Sequence, residues 1–247
     1  GLARAIIESC DVFFYKMSIK IGIDLLSNYS KKFGLGQVTG IDIHGEQPGI
    51  MPSRSWKKSA RGESWFNGDT INVSIGQGFM LTTPLQLGVM MARIASKGKM
   101  VKPQLVKSIN GNPVIGIENT ESIGIAAEHW AYIHQAMKAV VHSPRGTARR
   151  INRDLNYTIA GKTGTAQVIS IKAEEEYDSS KIDKSQWDHA LFVAFAPVEN
   201  PQIAIGLIVE NGEHGSSAAA PIARLVMDAY MKSKAGSHQS TESEVLH

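Results

Sequence analysis

Residues 160–168 read Ala-Gly-Lys-Thr-Gly-Thr-Ala-Gln-Val, a lone lysine and two hydroxyls set between glycines in a stretch patterned as a strand. Each glycine weakens a strand, because it loses the most conformational freedom on folding. Small residues do, however, let a ligand or a second backbone approach closely. Side chains alternate along a strand, so Lys162 and Gly164 share one face and Thr163 and Thr165 the other. A cation, hydroxyls and the free N–H groups of a strand edge can hold a carboxylate and an oxyanion. The tripeptide Lys-Thr-Gly alone equally suits a kinked strand with a surface lysine.

Three other stretches carry polar groups in unusual settings. Ser9 and Asp11 flank Cys10 inside a helical pattern, and residues two apart do not share a helix face. They converge only if the chain turns there and leaves Ser9 at a helix end; the plainest reading is a serine N-cap with an acidic first turn. Residues 72–87, "NVSIGQGFMLTTPLQL", place glycines on both sides of Gln77 just before a Thr-Thr-Pro helix start. Residues 143–151, "SPRGTARRI", form a basic turn after a helix.

The elements that must position these groups are legible from periodicity. Thr83-Pro84 opens a helix whose Leu87, Met90, Met91 and Ile94 recur at helical spacing, and Gly98 closes it. Trp130, Ile133, Met137, Val140 and Val141 define a second apolar face, and Ile222, Leu225, Val226 and Ala229 a third. Helical pattern also spans 5–21, interrupted at Ser9 to Asp11, and 24–33. Strand pattern covers 157–168, 189–197 and 202–210, with the last two close enough for an antiparallel hairpin. Residues 170–188 have room for a short helix. Residues 35–75 show little periodicity and predict a long loop or irregular subdomain. Residues 233–247 are polar and predict a disordered tail, leaving 1–232 as one folded unit. Helices first, then strands, then a helix predict an α+β fold with an antiparallel sheet flanked by helices.

Composition narrows the classes. The chain has 247 residues, 43% hydrophobic and 20% charged, in the range of globular domains. A net charge of +3 without a basic block gives no support for nucleic-acid binding. Cys10 is the single cysteine, which excludes an internal disulfide. No apolar run approaches the roughly 18–20 residues of a membrane span. The chain opens at Gly1 in a helical pattern without Met, as a piece cut from something longer does. Neither Cys-x-x-Cys nor His-x-x-x-His occurs, so no metal is expected. His189 reads as a strand residue and His214 as a loop residue. Cys10 reads as a buried structural thiol, a zinc ligand only with partners from an upstream segment.

Taken together the motifs are far more specific. Serine acyl-transferases of the penicillin-binding and β-lactamase type carry S-x-x-K, S-D-N and K-T-G in that order. Ser9-Cys10-Asp11 resembles the second and Lys162-Thr163-Gly164 the third. "SIGQG", "TTPLQL", "RGTA" and "GKTGTAQV" resemble class B penicillin-binding proteins. "FFYKMSIKIGIDLLSNYSKKFGLGQVTGIDI", "WFNGDTINVSIGQG" and "AFAPVENPQIAIGLIVENG" extend the resemblance to the cell-elongation branch, from about residue 2 to 231. It implies the penicillin-binding transpeptidase fold, also that of serine β-lactamases. It also implies a peptidoglycan D,D-transpeptidase that cross-links stem peptides through a serine acyl-enzyme, which β-lactams trap. Ser9 would relay a proton, Lys162 would favour the substrate's negative charge, and Thr163 and Thr165 would hold its carboxylate. The Thr165 N–H would serve the oxyanion, and Gly164 would make room for the donor. No cofactor is implied. The resemblance further implies a membrane glycosyltransferase partner, no nucleic acid, and a site at the periplasmic face of the inner membrane, anchored by an N-terminal helix.

Two departures stand out. Asp11 occupies a place usually held by asparagine, so it accepts hydrogen bonds but cannot donate them, and it adds charge beside lysine. An ionised Asp11 pairing with lysine is the expectation. The S-x-x-K segment is expected upstream of Gly1, together with the first strands of the sheet, which leaves the 247 residues inactive alone with an unpaired sheet edge. Ser55 to Lys58 and Ser96 to Lys99 match the spacing but follow Ser9; Ser55 falls in the irregular region and Ser96 at a helix end broken by Gly98, whereas a nucleophile and its base should share a helix face near its N-terminus. Rival readings are a D,D-carboxypeptidase, a β-lactamase, or a non-catalytic β-lactam-sensing or scaffolding module.

Overall fold

The computed structural model describes residues 1–116, 121–169 and 178–244, with side chains in the last helix as far as Lys234. Helix α1 (Leu2–Ile7) and helix α2 (Asp11–Ile21) are separated by a turn in which Ser9 takes φ +54°. That is left-handed backbone, costly for a residue with a Cβ. Helix α3 (Ile23–Lys32) follows Gly22. The stretch 35–75, expected to be irregular, contains α4 (Arg54–Arg61) and α5 (Asn67–Ser74). These helices show no long apolar stripe: Val73 of α5 packs with Ile23, Met51 and Trp65, and polar anchors add to that hold. Ser53 accepts from the Trp56 N–H at 3.1 Å, and Asp69 accepts from the Phe66 N–H at 2.8 Å. Lys57, with its side chain 4% exposed, pairs with the same Asp69 carboxylate at 2.8 Å.

Helix α6 (Pro84–Ala95) starts where the Thr-Pro pair predicts, with Thr83 and Gln86 capping one another reciprocally. A small hairpin, β1 (Ser108–Ile109) and β2 (Asn112–Pro113), precedes α7 (Ala127–His142). The main sheet then forms from β3 (Ala160–Ala166), β4 (His189–Ala196) and β5 (Ile203–Val209), antiparallel in that order. Between β3 and β4, residues 170–177 lie outside the described residues; Ser179–Lys181 and Lys184–Gln186 are single turns of 3-10 helix. Helix α8 (Ala220–Glu244) follows directly on a wide turn at Gly215–Ala219. Residues 233–244, expected to be disordered, continue α8, since each residue added to a nucleated helix gains a backbone hydrogen bond.

Strand β4 carries the alternation that makes the sheet a middle layer. Ala190, Phe192, Ala194 and Ala196 pack with Ala220, Ala223 and Met227 of α8, while Phe195 packs with Met91 of α6 and Met137 of α7. Lys162 pairs in register with Val193, which packs against the cluster of α6 and α7. The lysine therefore points to the side where α1 lies on α7. Among the described residues β5 pairs only with β4, and Leu225 and Val226 of α8 stay exposed.

Gln86 locks the irregular segment onto α6. Fully buried, it donates through Nε2 to the carbonyls of Gln37 (2.8 Å) and Pro48 (2.7 Å), while Oε1 accepts from the Thr83 N–H. Gln86→Leu removes that donor and should cost about 2 kcal/mol. Urea unfolding should show a lower midpoint at unchanged slope.

Candidate active site

The lysine of the opening stretch is the centre of the site. Lys162 Nζ donates to Ser9 Oγ at 2.7 Å and to the Thr163 carbonyl at 2.7 Å. The left-handed turn at Ser9 makes the first contact possible: it ends α1 and starts α2 so that Ser9 and Asp11 reach one cavity. Burial lowers the Lys162 pKa to about 8, and the Asp11 charge acts in the opposite direction. Asp11 is solvent-exposed and reaches Lys162 through its field alone, not through the contact pair expected from sequence. Burial first, then the Asp11 charge, pushes the Tyr15 phenol up, so Tyr15 stays a neutral donor at the cavity wall.

The cavity encloses about 750 Å³ between β3, the start of α2, the end of α5 and the turn before α8. Thr163 Oγ1 shares a hydrogen bond with Thr147 Oγ1 at 3.0 Å, which ties the basic turn after α7 to the strand. Gln77 reaches across from the loop after α5. Its Nε2 donates to the Thr165 carbonyl at 2.8 Å, and its Oε1 accepts from the Gln167 N–H at 3.3 Å. An antiparallel strand turns the N–H and C=O of one residue to the same edge. Thr165 therefore presents its N–H, with its carbonyl, away from β4 and toward the cavity.

The glycines of the stretch differ in purpose. A Cβ on Gly161 would sit 2.7 Å from the Phe192 ring, so that position is closed by the protein itself. A Cβ on Gly164 would meet only Leu191 Cβ, at an ordinary 3.4 Å. The described residues do not fill the space above Gly164, which leaves it open to a ligand among them.

The structure thus brings Ser9, Asp11, Lys162, Thr163, Gly164 and Thr165 to the lining of one cavity. Ser55, expected in an irregular region, sits in the first turn of α4 with Lys58 one turn on, but both lie outside this cavity, with Ser55 Oγ bonded to Ser53 Oγ and Lys58 Nζ 3.5 Å from the Gly62 carbonyl. Ser96 caps the end of α6 by donating to the Ala92 carbonyl. Cys10, expected to be buried, is exposed: it links α1 to α2 on the outside of the turn. Among the described residues no trio of His, Cys, Asp or Glu could hold a metal ion. His189 accepts from the Asn211 N–H and serves the strand, whereas His214, read as a plain loop residue, lines the cavity. Tyr15, Asn72 and Thr147 also line it and were not singled out from sequence, whereas Gln77, read only as a residue between two glycines of a tight helix entry, lines it too. For Gln77 and Thr147 the available signal was their place in "SIGQG" and "RGTA".

The profile of the penicillin binding protein transpeptidase domain matches residues 1–228. The chain belongs to the penicillin-binding protein transpeptidase family and has its α+β fold. Within that family its kinship is with penicillin-binding protein 2. It is 41% identical over 241 residues to the peptidoglycan D,D-transpeptidase MrdA of Haemophilus influenzae, covering 94% of this chain and 36% of that protein. The crystal structure of Pseudomonas aeruginosa PBP2 in complex with WCK 5153 superposes with a TM-score of 0.82 at 43% identity, covering 93% of this chain and 49% of that one. Helicobacter pylori PBP2, in complex with MreC, matches with a TM-score of 0.78 at 32% identity, covering 94% and 40%. The chain spans between about a third and a half of the length of these relatives.

Proposed function

We propose that these residues form the donor-binding and proton-relay half of a serine-type peptidoglycan D,D-transpeptidase. The observation that carries this reading is the hydrogen bond from Lys162 to Ser9 at the wall of a cavity whose other wall is the edge of β3. A serine from a segment outside these residues would attack the penultimate D-Ala carbonyl of a stem peptide, its proton passing to the lysine of the same S-x-x-K segment and on to Ser9. The Thr165 N–H would donate to the oxyanion, worth about 10²–10³ in rate for such a donor. Lys162 and the Thr163 and Thr165 hydroxyls would hold the terminal carboxylate. The ammonium occupies the Ser9 oxygen as acceptor, which frees the Ser9 proton to pass to the departing D-Ala nitrogen as the C–N bond breaks. An amine of a neighbouring strand would then attack the ester, form the cross-link and release the serine. β-Lactams would enter the same way, with the leaving nitrogen still tethered to the acyl group.

No metal or other cofactor has a part in these steps. The partners that this reading brings are stem peptides, β-lactams, a membrane glycosyltransferase of the elongation complex, and a protein of the MreC kind. The site would lie at the periplasmic face of the inner membrane; no described helix is long and apolar enough to cross it. Fluorescent penicillin is the test. The intact protein should be labelled at a serine outside residues 1–247, and the 247-residue polypeptide alone should not. Label on Ser55 or Ser96 would place the nucleophile within these residues and overturn the reading; an intact protein without S-x-x-K would favour a scaffolding module.

A further inference from the structure

Strand β3 is an edge strand, and an exposed strand edge binds extended peptides by adding them as a further strand. Its free edge is nevertheless partly occupied. The Gln77 carboxamide accepts from the Gln167 N–H and donates to the Thr165 carbonyl, the same pair of bonds that the N–H and C=O of one residue in a parallel added strand would make. A primary amide is the one neutral side-chain group that can both donate and accept in this way. The Gln77 backbone is fixed by its N–H on the Asn72 carbonyl at 3.0 Å, so what can leave the strand edge is the side chain. The residue lies between Gly76 (φ +80°) and Gly78 (φ +70°), and a Cβ on Gly76 would meet nothing within 4 Å. Glycine at position 76 therefore answers to backbone conformation, not crowding.

We infer that Gln77 is a displaceable stand-in for the acyl donor's backbone, holding the outer edge of β3 until an extended peptide takes over its two hydrogen bonds. The inference rests on the transpeptidase reading. It adds a specificity step, since a donor with an amide N–H placed against Thr165 exchanges one hydrogen bond for another, and a donor without one gains nothing by displacing Gln77. Removing the side chain should favour amide-bearing donors alone.

The test compares acylation of the intact protein by two β-lactams. Benzylpenicillin carries a side-chain amide, and penicillanic acid has the same ring without it. In Gln77→Ala the second-order rate with benzylpenicillin should rise about 2- to 10-fold, the worth of one net hydrogen bond. The rate with penicillanic acid should stay unchanged. Gln77→Glu loses the donor to Thr165, and its charge acts on both carboxylate-bearing probes alike, so the ratio of the two rates should again rise. A ratio that stays constant or falls, with both rates reduced, would make Gln77 a fixed strut and overturn the inference. A wild-type protein acylated by neither compound would remove the transpeptidase reading itself, a distinct result.

Discussion

Lys162→Ala in the intact protein is expected to lower the second-order rate of acylation by penicillin about 10³-fold, the scale on which a preorganised charge contact acts in a water-poor site. The loss combines two effects. Ser9 loses the ammonium that fixes its oxygen at 2.7 Å, and the donor carboxylate loses its cation. The pH profile separates this from misfolding. With a pKa of about 8, Lys162 is protonated and effective below that pH, so the wild-type rate should fall as pH rises through it. Because the Asp11 charge opposes the effect of burial, Asp11→Asn should move this limb to lower pH. Stopped-flow acylation from pH 6 to 10 tests both, and a limb unmoved in either variant would remove Lys162 from the proposed role. Stability runs the other way. Between a folded value of about 8 and an unperturbed value of 10.5 the unfolded chain binds the extra proton, so stability contributed here rises with pH across that window.

Gly215→Ala is expected to be the most disruptive small substitution near the site. Its Cβ would lie 2.2 Å from the Leu191 carbonyl oxygen and 2.6 Å from that of Gly164. Both are backbone atoms of paired strands and cannot swing aside. The wide turn at Gly215–Ala219, which leads into α8, would have to lift off the sheet. Overpacking of this kind costs about 3 kcal/mol, which for a domain of this size lowers Tm by roughly 6–12 °C. Acylation should fall with it, since His214, Gly215 and Ser216 form that cavity wall. Gly164→Ala is the informative contrast. Its Cβ meets only an ordinary contact, so Tm should barely change while penicillin acylation drops. A Gly164→Ala protein with full acylation would show that the donor does not lie over this position.

Much of the scaffold was legible because its signals are local. Thr83-Pro84 declares a helix start through capping chemistry that involves only its own first turn. The strands at 160–166, 189–196 and 203–209 declare themselves through alternation and turn residues. The helices at 54–61 and 67–74 did not, because no long apolar stripe runs along them and a buried ion pair from Lys57 to Asp69 and two caps help to hold them. Cys10 followed the same logic in reverse: its residue type predicts burial, yet the turn that presents Ser9 leaves it outside.

The sequence by itself determined which groups could perform acyl transfer: Ser9 and Asp11 at a forced helix break, and Lys162 with Thr163 and Thr165 on a glycine-flanked strand. Only the tertiary structure decided how they act together. Residues 9, 77, 147, 162 and 215 meet at one cavity because the sheet stands between α6 and α7 on one side and α8 on the other. Burial in that arrangement, and not residue type, sets the Lys162 pKa near 8. The physical reason is range. Propensity, capping and alternation act between neighbours in the chain, whereas desolvation, strand-edge occupancy and the free space above Gly164 depend on segments that the fold alone brings together.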